Sequence, residues 1–270
     1  MDVVLTKHHG LGNDFLVVDL DGNGLDASSC DWADVAQRLC DRRRGIGADG
    51  LLLMGTRDGA LTMRLHNADG SRAEMSGNGI RCLVQAGLHA YNMKLSSVDV
   101  VTDAGRRTVD VIDTNDEDLM MLSVSMGVVA PAPEPARWSE LGCHPDRPVR
   151  HSSLGNPHSV VGVDDVTDVD LAELGSKVPD INLEIVAPGP TTDSIIMRVH
   201  ERGVGVTEAC GTGACAAAEA ALSWGLAIAG DDGIAVHMDG GTARVIVDRT
   251  TSEAVLVGPA QFIGTVQVVL

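Results

Sequence analysis

The sequence predicts an α+β protein made of two diverged copies of one unit, each rich in strands and each holding one apolar central helix. Three observations predict it. The phrase Ser76-Gly77-Asn78-Gly79-Ile80-Arg81-Cys82 returns as Cys210-Gly211-Thr212-Gly213-Ala214-Cys215, nearly half of the 270-residue chain further on. A second echo, Gly12-Asn13-Asp14 against Gly155-Asn156-Pro157, recurs at a similar separation. Between these phrases the chain reads mostly as short strands punctuated by few helices. In each copy of the first phrase a small nucleophilic residue and two glycines lead into a helix-forming stretch. That arrangement aims backbone N–H groups and the positive end of a helix dipole at whatever lies before the helix. It suits a carboxylate or phosphate, and it lowers the pKa of a thiol placed there. Paired sites of this kind are expected to face each other across a cleft.

In chain order, Val3–Leu5 and Phe15–Val18 read as strands flanking the turn at 10–13. Residues 30–42 carry helical spacing at Trp32, Val35, Ala36 and Leu39, with Asp31 as a cap. Residues 50–54 and 61–65 form a hairpin through Arg57-Asp58-Gly59. The helix after Ser76 ends near Tyr91-Asn92, and strands follow at 98–101, 108–112 and 120–124. Pro131-Ala132-Pro133-Glu134-Pro135 is the sharpest break in composition and marks a linker or long loop between the halves. The second half repeats the order: a strand at 159–162, a helical turn at 171–175, strands at 183–186 and 194–200, then the helix after Cys210. Strands at 236–238, 243–247, 254–257 and 266–269 complete it. The alanine-rich run 214–221 suits close packing inside a core, which is compatible with a helix whose N-terminus serves a site. Glycines 77, 79, 211 and 213 admit a plainer reading as tight-turn residues, but their twofold occurrence before helices favours ligand binding.

Composition bounds the class. At 44% hydrophobic residues the chain can build sizeable cores. A formal charge of −18 with 2% aromatics excludes the basic, stacking surface of a nucleic-acid binder and reads as a solubilising exterior. Residues 1–7 lack the pattern of a signal peptide, and no apolar run approaches membrane-spanning length. A cytoplasmic enzyme with no membrane partner is expected, and a homodimer is left open.

Six cysteines occur without the density of a disulfide scaffold or a paired Cys-x-x-Cys metal pattern, so no metal is expected. Cys82 and Cys215 lie inside apolar helical stretches and read as core. Cys210 alone precedes a glycine-rich helix start. It is expected to be the reactive thiolate and the thiol most readily alkylated.

These motifs together resemble a known family. Asn67-Ala68-Asp69-Gly70-Ser71, four residues, then Ser76-Gly77-Asn78-Gly79 is similar to one signature of the diaminopimelate epimerases, with one change. Glu201-Arg202-Gly203-Val204-Gly205-Val206-Thr207-Glu208-Ala209-Cys210-Gly211-Thr212-Gly213 is similar to the other. Gly10–Phe15, Gly45–Gly50, Gly155–His158 and Ile181-Asn182 match in the same order from end to end. The departure is Ser76, which stands at the family's first catalytic cysteine. The resemblance implies two pseudo-symmetric domains, each a mixed or antiparallel sheet wrapped around its central helix. One covers 1–125, with a last strand at 259–270 returning to it, and the other covers 126–258. It implies cofactor-independent epimerisation of LL- to meso-diaminopimelate, with an amino acid as the only partner. It also implies that Cys210 and Ser76 are the catalytic pair, with His158 and Glu201 tuning their proton affinities. Asn13, Asn67, Asn156 and Asn182 resemble the amides that hold the substrate's distal groups, with Arg202 pairing a carboxylate. Gly77, Asn78, Gly211 and Thr212 line the helix starts that seat the α-carboxylate. Gly50 stands where some relatives carry a glutamine, so that contact is not carried over.

The chemistry is consistent with these residues. Inverting an α-carbon needs a base on one face and an acid on the other, with strong stabilisation of the developing negative charge. Lys7, Lys94 and Lys177 lie outside any motif, so no pyridoxal-type site is indicated. A thiol at a helix start suits the acid/base role, whereas the Ser76 hydroxyl does not form an alkoxide near neutrality without a strong base beside it. Three readings of Ser76 stay open: a native variant helped by a neighbouring base or water, a paralogue with altered chemistry, or an introduced cysteine-to-serine change. The alternatives to epimerisation of diaminopimelate are a racemase or isomerase of another amino acid, and a catalytically weakened amino-acid-binding relative.

Overall fold

The computed structural model describes residues 1–113 and 118–270 and divides into two compact units, Met1–Val124 with Gly258–Leu270, and Ser125–Val257. In the first unit, strand Asp2–Gly10 turns through Leu11 and Gly12, both at positive φ, into strand Asn13–Asp19. Two positive φ angles between directly paired residues make the two-residue turn whose twist matches a hairpin. Helix α1, Trp32–Cys40, then returns the chain to Gly50–Arg57, parallel to Asn13–Asp19. The Asp31 carboxylate caps α1 by accepting from the N–H groups of Ala33 and Asp34, and Trp32, Val35, Ala36 and Cys40 face the core. Gly50–Arg57 turns at Asp58-Gly59 into the antiparallel strand Ala60–Asn67. Helix α2, Gly77–Ala90, leads to Ser97–Thr102, parallel to Ala60–Asn67 and antiparallel to Gly105–Asp113. Strand Leu119–Val128 follows.

The second unit repeats this path. Val149–Ser153 pairs with Pro157–Gly162, and helix α3, Leu171–Lys177, crosses to the parallel strand Asn182–Pro188. Antiparallel Ser194–Glu201 comes next, and helix α4, Gly211–Trp224, crosses to the parallel strand Ile234–Met238, which pairs with Gly241–Val247. Each unit is therefore a mixed sheet with two parallel crossovers, and the second crossover helix is the wrapped one. Every residue of α2 from Gly77 to Leu88 is buried, and the helix packs against five strands of its unit. Six alanines of α4 lie at zero exposure, letting the sheet close around a thin helix. Its buried Glu219 is held bidentately by Arg150. The α+β expectation holds in this form, and so do Cys82 and Cys215 as core residues.

Two expectations need correction. The strands read at 254–257 and 266–269 are one continuous strand, Glu253–Val269. Residues 254–257 pair with Gly241–Val247 and residues 261–269 pair with Asp2–Gly10. Pro259 lies between these two ladders, so neither needs the N–H it lacks. The proline-rich stretch also does not join the halves. It lies within the second unit, and the change of unit falls at 124/125, inside a strand. No helix among the described residues is long and apolar enough to cross a membrane.

One buried polar group in the first unit gives a testable pH dependence. His8 is fully buried, donating from Nδ1 to Gln85 Oε1 and accepting at Nε2 from the Thr6 hydroxyl, both at 2.9 Å. Burial lowers its pKa from 6.5 to about 4, with Gln85 opposing and His89 adding to the fall. The unfolded chain thus takes up this proton at a higher pH than the folded chain. Stability is complete above 6.5 and is lost as pH falls toward 4. The expected loss from this group is about 3 kcal/mol. Denaturant titrations at neutral and acidic pH should show it in the parent chain, and His8→Asn should lose correspondingly less.

Candidate active site

Each unit places one glycine-rich phrase at the start of its wrapped helix, and the two starts are built alike. Ser76 caps α2 with φ −138° and ψ 127°, its Oγ accepting from the Gly79 N–H at 3.0 Å. Cys210 caps α4 with φ −131° and ψ 116°, its Sγ accepting from the Gly213 N–H at 3.4 Å. Neither Gly79 nor Gly213 has positive φ, so they are not turn glycines. They permit close approach: a Cβ on Gly213 would lie 2.8 Å from Glu184 Oε1, and one on Gly79 would lie 3.1 Å from Ser76 Cβ.

Around Cys210 the parallel pairing of Pro157–Gly162 with Asn182–Pro188 sets His158 opposite Asn182 and Val160 opposite Glu184. Strand alternation then turns His158 and Glu184 to the same face. Both are buried, with His158 Nδ1 2.6 Å from Glu184 Oε1. Burial raises the Glu184 pKa, His158 opposes that, and the Glu201 charge adds to it. His158 Nε2 lies 3.0 Å from Asn156 Oδ1, and Asn156 Nδ2 donates to Thr212 Oγ1 at 3.3 Å. Thr212 Oγ1 is 3.5 Å from Cys210 Sγ. Glu201 accepts from the Thr207 hydroxyl at 2.5 Å.

The Cys210 thiol departs from expectation. It is 5% exposed, and its pKa is pushed well above the usual thiol value by burial first, then by the Glu201 and Glu184 charges. The hydrogen bonds from Thr212 and Gly213 pull the other way. A helix start contributes only part of a unit charge, which does not offset desolvation and two carboxylates. Cys30 and Cys143 are half-buried and more open to an alkylating reagent than Cys210.

The remaining expected residues divide. In the first unit Asn78 Nδ2 donates to Asn13 Oδ1 at 3.2 Å, and Asn13 Nδ2 donates to Asp49 Oδ2 at 2.8 Å. Arg81, fully buried, donates to Asn78 Oδ1 and to the carbonyls of Gly77 and Pro259. Asp49 and Asp14 share Arg42, and Asp14 also pairs with Lys7. Asn67 instead closes its own turn by donating to Ser71 Oγ. In the second unit both ends of the Asn182 amide are engaged, accepting from the Arg202 N–H and donating to the Pro157 carbonyl. Arg202 is exposed and makes no ion pair with a described residue.

The two starts differ in what surrounds them. Phe15, paired opposite Gly50, takes the place in the first unit that His158 takes in the second, and Leu52 takes that of Glu184. Strand Ala60–Asn67 ends in Asn67 where Ser194–Glu201 ends in Glu201. Sequence reading missed Glu184, Arg81 and Asp49. The signal for the first two was a charged residue inside an otherwise apolar run. Among the described residues no group of three or more His, Cys, Asp or Glu side chains could hold a metal ion.

Comparison with known proteins gives this geometry its family. The family model described as diaminopimelate epimerase matches residues 5–130 and 151–263. The chain is 36% identical to a diaminopimelate epimerase of Bacteroides thetaiotaomicron over 268 residues, covering 96% of this chain and 95% of that protein. It is 35% identical to that of a Synechocystis species, covering 97% of each. Among solved structures, a predicted epimerase from Pseudomonas aeruginosa matches with a TM-score of 0.75 at 15% identity over 99% of each chain. A hydroxyproline epimerase from Agrobacterium vitis, with bound trans-4-hydroxy-L-proline, matches at 0.64 and 14% identity over 100% of this chain and 93% of that one. These two likenesses concern the fold. With both signatures at matched helix starts and relatives aligned over nearly their whole length, this chain belongs to the diaminopimelate epimerase family, a family of isomerases.

Proposed function

We propose that the protein epimerises LL-diaminopimelate to meso-diaminopimelate without a cofactor. The observation that carries this reading is the pair of identically capped helix starts, Ser76 on α2 and Cys210 on α4, in a chain of this family. Cys210 takes or returns the α-proton on one face of the substrate, and Ser76 serves the other. The helix-start N–H groups of Gly77, Asn78, Gly211 and Thr212 receive the α-carboxylate, and their dipoles stabilise the charge that spreads onto it as the proton leaves. His158 and Glu201 tune the proton affinities of Cys210 and Ser76. Asn13 and Arg202 serve the substrate's distal ammonium and carboxylate. Asn67, Asn156 and Asn182 belong to the same reading, with Asn67 and Asn182 acting through the loops they hold closed.

A burial-raised thiol suits this chemistry. It holds its proton until substrate or a neighbouring carboxylate takes it, and as a thiolate it is a strong base in a dry site. The test is solvent deuterium incorporation at the α-carbon of LL- and meso-diaminopimelate, followed by NMR. Exchange with net inversion supports the reading, and exchange of another amino acid but not of these moves the protein to a different substrate. One observation favours a second reading, a weakened amino-acid-binding relative. Ser76 replaces a tunable thiol, and Phe15, Leu52 and Asn67 stand in its unit where Cys210 has His158, Glu184 and Glu201. Binding of diaminopimelate without any α-exchange would establish that reading.

A further inference from the structure

Glu184 has no role in the reading above, and its position is unusual. It is fully buried in strand Asn182–Pro188 between Leu183 and Ile185, and its Oε2 has no hydrogen-bond partner. A carboxylate held this way is costly unless what it holds requires it. Its other oxygen meets His158 Nδ1, and from there the polar contacts continue through Asn156 and Thr212 to the Cys210 sulfur. We propose that Glu184 is a positioning residue which, acting through His158, Asn156 and Thr212, keeps the Thr212 hydroxyl proton directed at the Cys210 sulfur.

The direction of the chain follows from which atoms face each other. His158 Nε2 faces an amide oxygen, Asn156 Oδ1, so Nε2 carries the N–H and donates. With Nε2 protonated, Nδ1 and Glu184 Oε1 share one further proton, and the pair is net neutral whichever atom holds it. The Asn156 amide, fixed by its oxygen, offers its Nδ2–H to Thr212 Oγ1. That fills an acceptor site on the hydroxyl and leaves its hydrogen for Sγ. Without Glu184, Nδ1 is free to keep the ring's single proton. Nε2 then becomes an acceptor, Asn156 turns over, and the hydroxyl is no longer held on the sulfur.

The ionisable side chains around the sulfur are Glu201 from Ser194–Glu201, Glu184 from Asn182–Pro188 and His158 from Pro157–Gly162. Both carboxylates repel a thiolate, so Glu184 has two effects of opposite sign: repulsion by its own charge, and stabilisation through the chain. They are separable. The proposal rests on Cys210 being the working thiol, but its test does not require turnover. Modification of Cys210 by methyl methanethiolsulfonate is followed by mass spectrometry from mildly acidic to strongly alkaline pH, which gives an apparent pKa for that thiol. Thr212→Val and Glu184→Val are each expected to raise it by about one unit, the worth of a hydrogen bond to a charged acceptor. The double variant should shift no further than either alone. Glu184→Gln, whose amide donates to Nδ1 and leaves the proton on Nε2, loses only the carboxylate's own repulsion and should not raise the value. A fall in apparent pKa in both Glu184 variants would show that the carboxylate acts only as a charge and would overturn the proposal. An unshifted value in Thr212→Val would overturn it as well, and that variant and Glu184→Gln suffice if Glu184→Val does not fold. Absence of α-proton exchange in the parent protein would count against the proposed function while leaving these curves readable.

Discussion

Cys210→Ala is expected to abolish α-proton exchange at diaminopimelate while leaving the fold intact. The loss should reach at least the ~10²–10⁴-fold attributed to a positioned acid/base group. The structural cost is small. The side chain caps α4 through one hydrogen bond from the Gly213 N–H, and losing a cap costs about 1 kcal/mol. The helix itself is buried along most of its length and held by packing rather than by its cap. Circular dichroism and the unfolding midpoint should therefore stay near the parent's. Cys210→Ser separates capping from chemistry. It restores the cap, as Ser76 does on α2, without restoring a thiol, and should remain far below the parent rate. Turnover at the parent rate in folded Cys210→Ala would remove Cys210 from the mechanism. The pH dependence has a sign as well. Burial and the Glu201 and Glu184 charges hold the thiol protonated, so exchange that uses Cys210 as base should rise from neutral into alkaline pH.

Much of this was legible before any coordinates, and the physical reasons are specific. The duplication could be read because both helix starts need the same local chemistry: a small capping side chain and three residues later a position with no Cβ. Asp31 and the Asp58-Gly59 turn were legible for the same reason, since caps and positive-φ turns are local and restrict residue type. What escaped the sequence depended on partners far along the chain. Pro259 reads as a strand breaker until the two ladders on either side of it are known. Glu184 reads as one residue of a strand until the parallel neighbour places His158 beside it. The Cys210 environment was misjudged most. The helix start is visible in the sequence, but the desolvation and the two carboxylates that outweigh it come from separate strands. The echo of Asn13-Asp14-Phe15 in Asn156-Pro157-His158 did contain the asymmetry of the halves, since it sets a phenylalanine against the histidine.

Ser76→Cys is expected to raise epimerisation in both directions. The geometry accepts the change: Cys210 shows that a thiol can cap this kind of helix start at nearly the same φ and ψ, and the N–H to Sγ distance is only slightly longer. Ser76 is half-buried, so the larger sulfur has room to be accommodated. The chemistry favours it because a thiol can be tuned into the range of a working acid or base and an aliphatic hydroxyl cannot without a strong base beside it. In the first unit the places equivalent to His158, Glu184 and Glu201 hold Phe15, Leu52 and Asn67, none of which can act as that base. An enzyme with one competent group should also be asymmetric. Cys210 would still draw the proton from one epimer and exchange it with solvent, while delivery to the opposite face falters. Solvent deuterium would then enter one stereoisomer faster than inversion proceeds, and Ser76→Cys should bring the two rates together. The gain should be on the order of 10²-fold or more if serine is an outright handicap. A flat or lower rate in the variant, with exchange and inversion already equal for both stereoisomers in the parent, would show that the serine hydroxyl is a competent partner and that another group supplies the proton affinity it lacks.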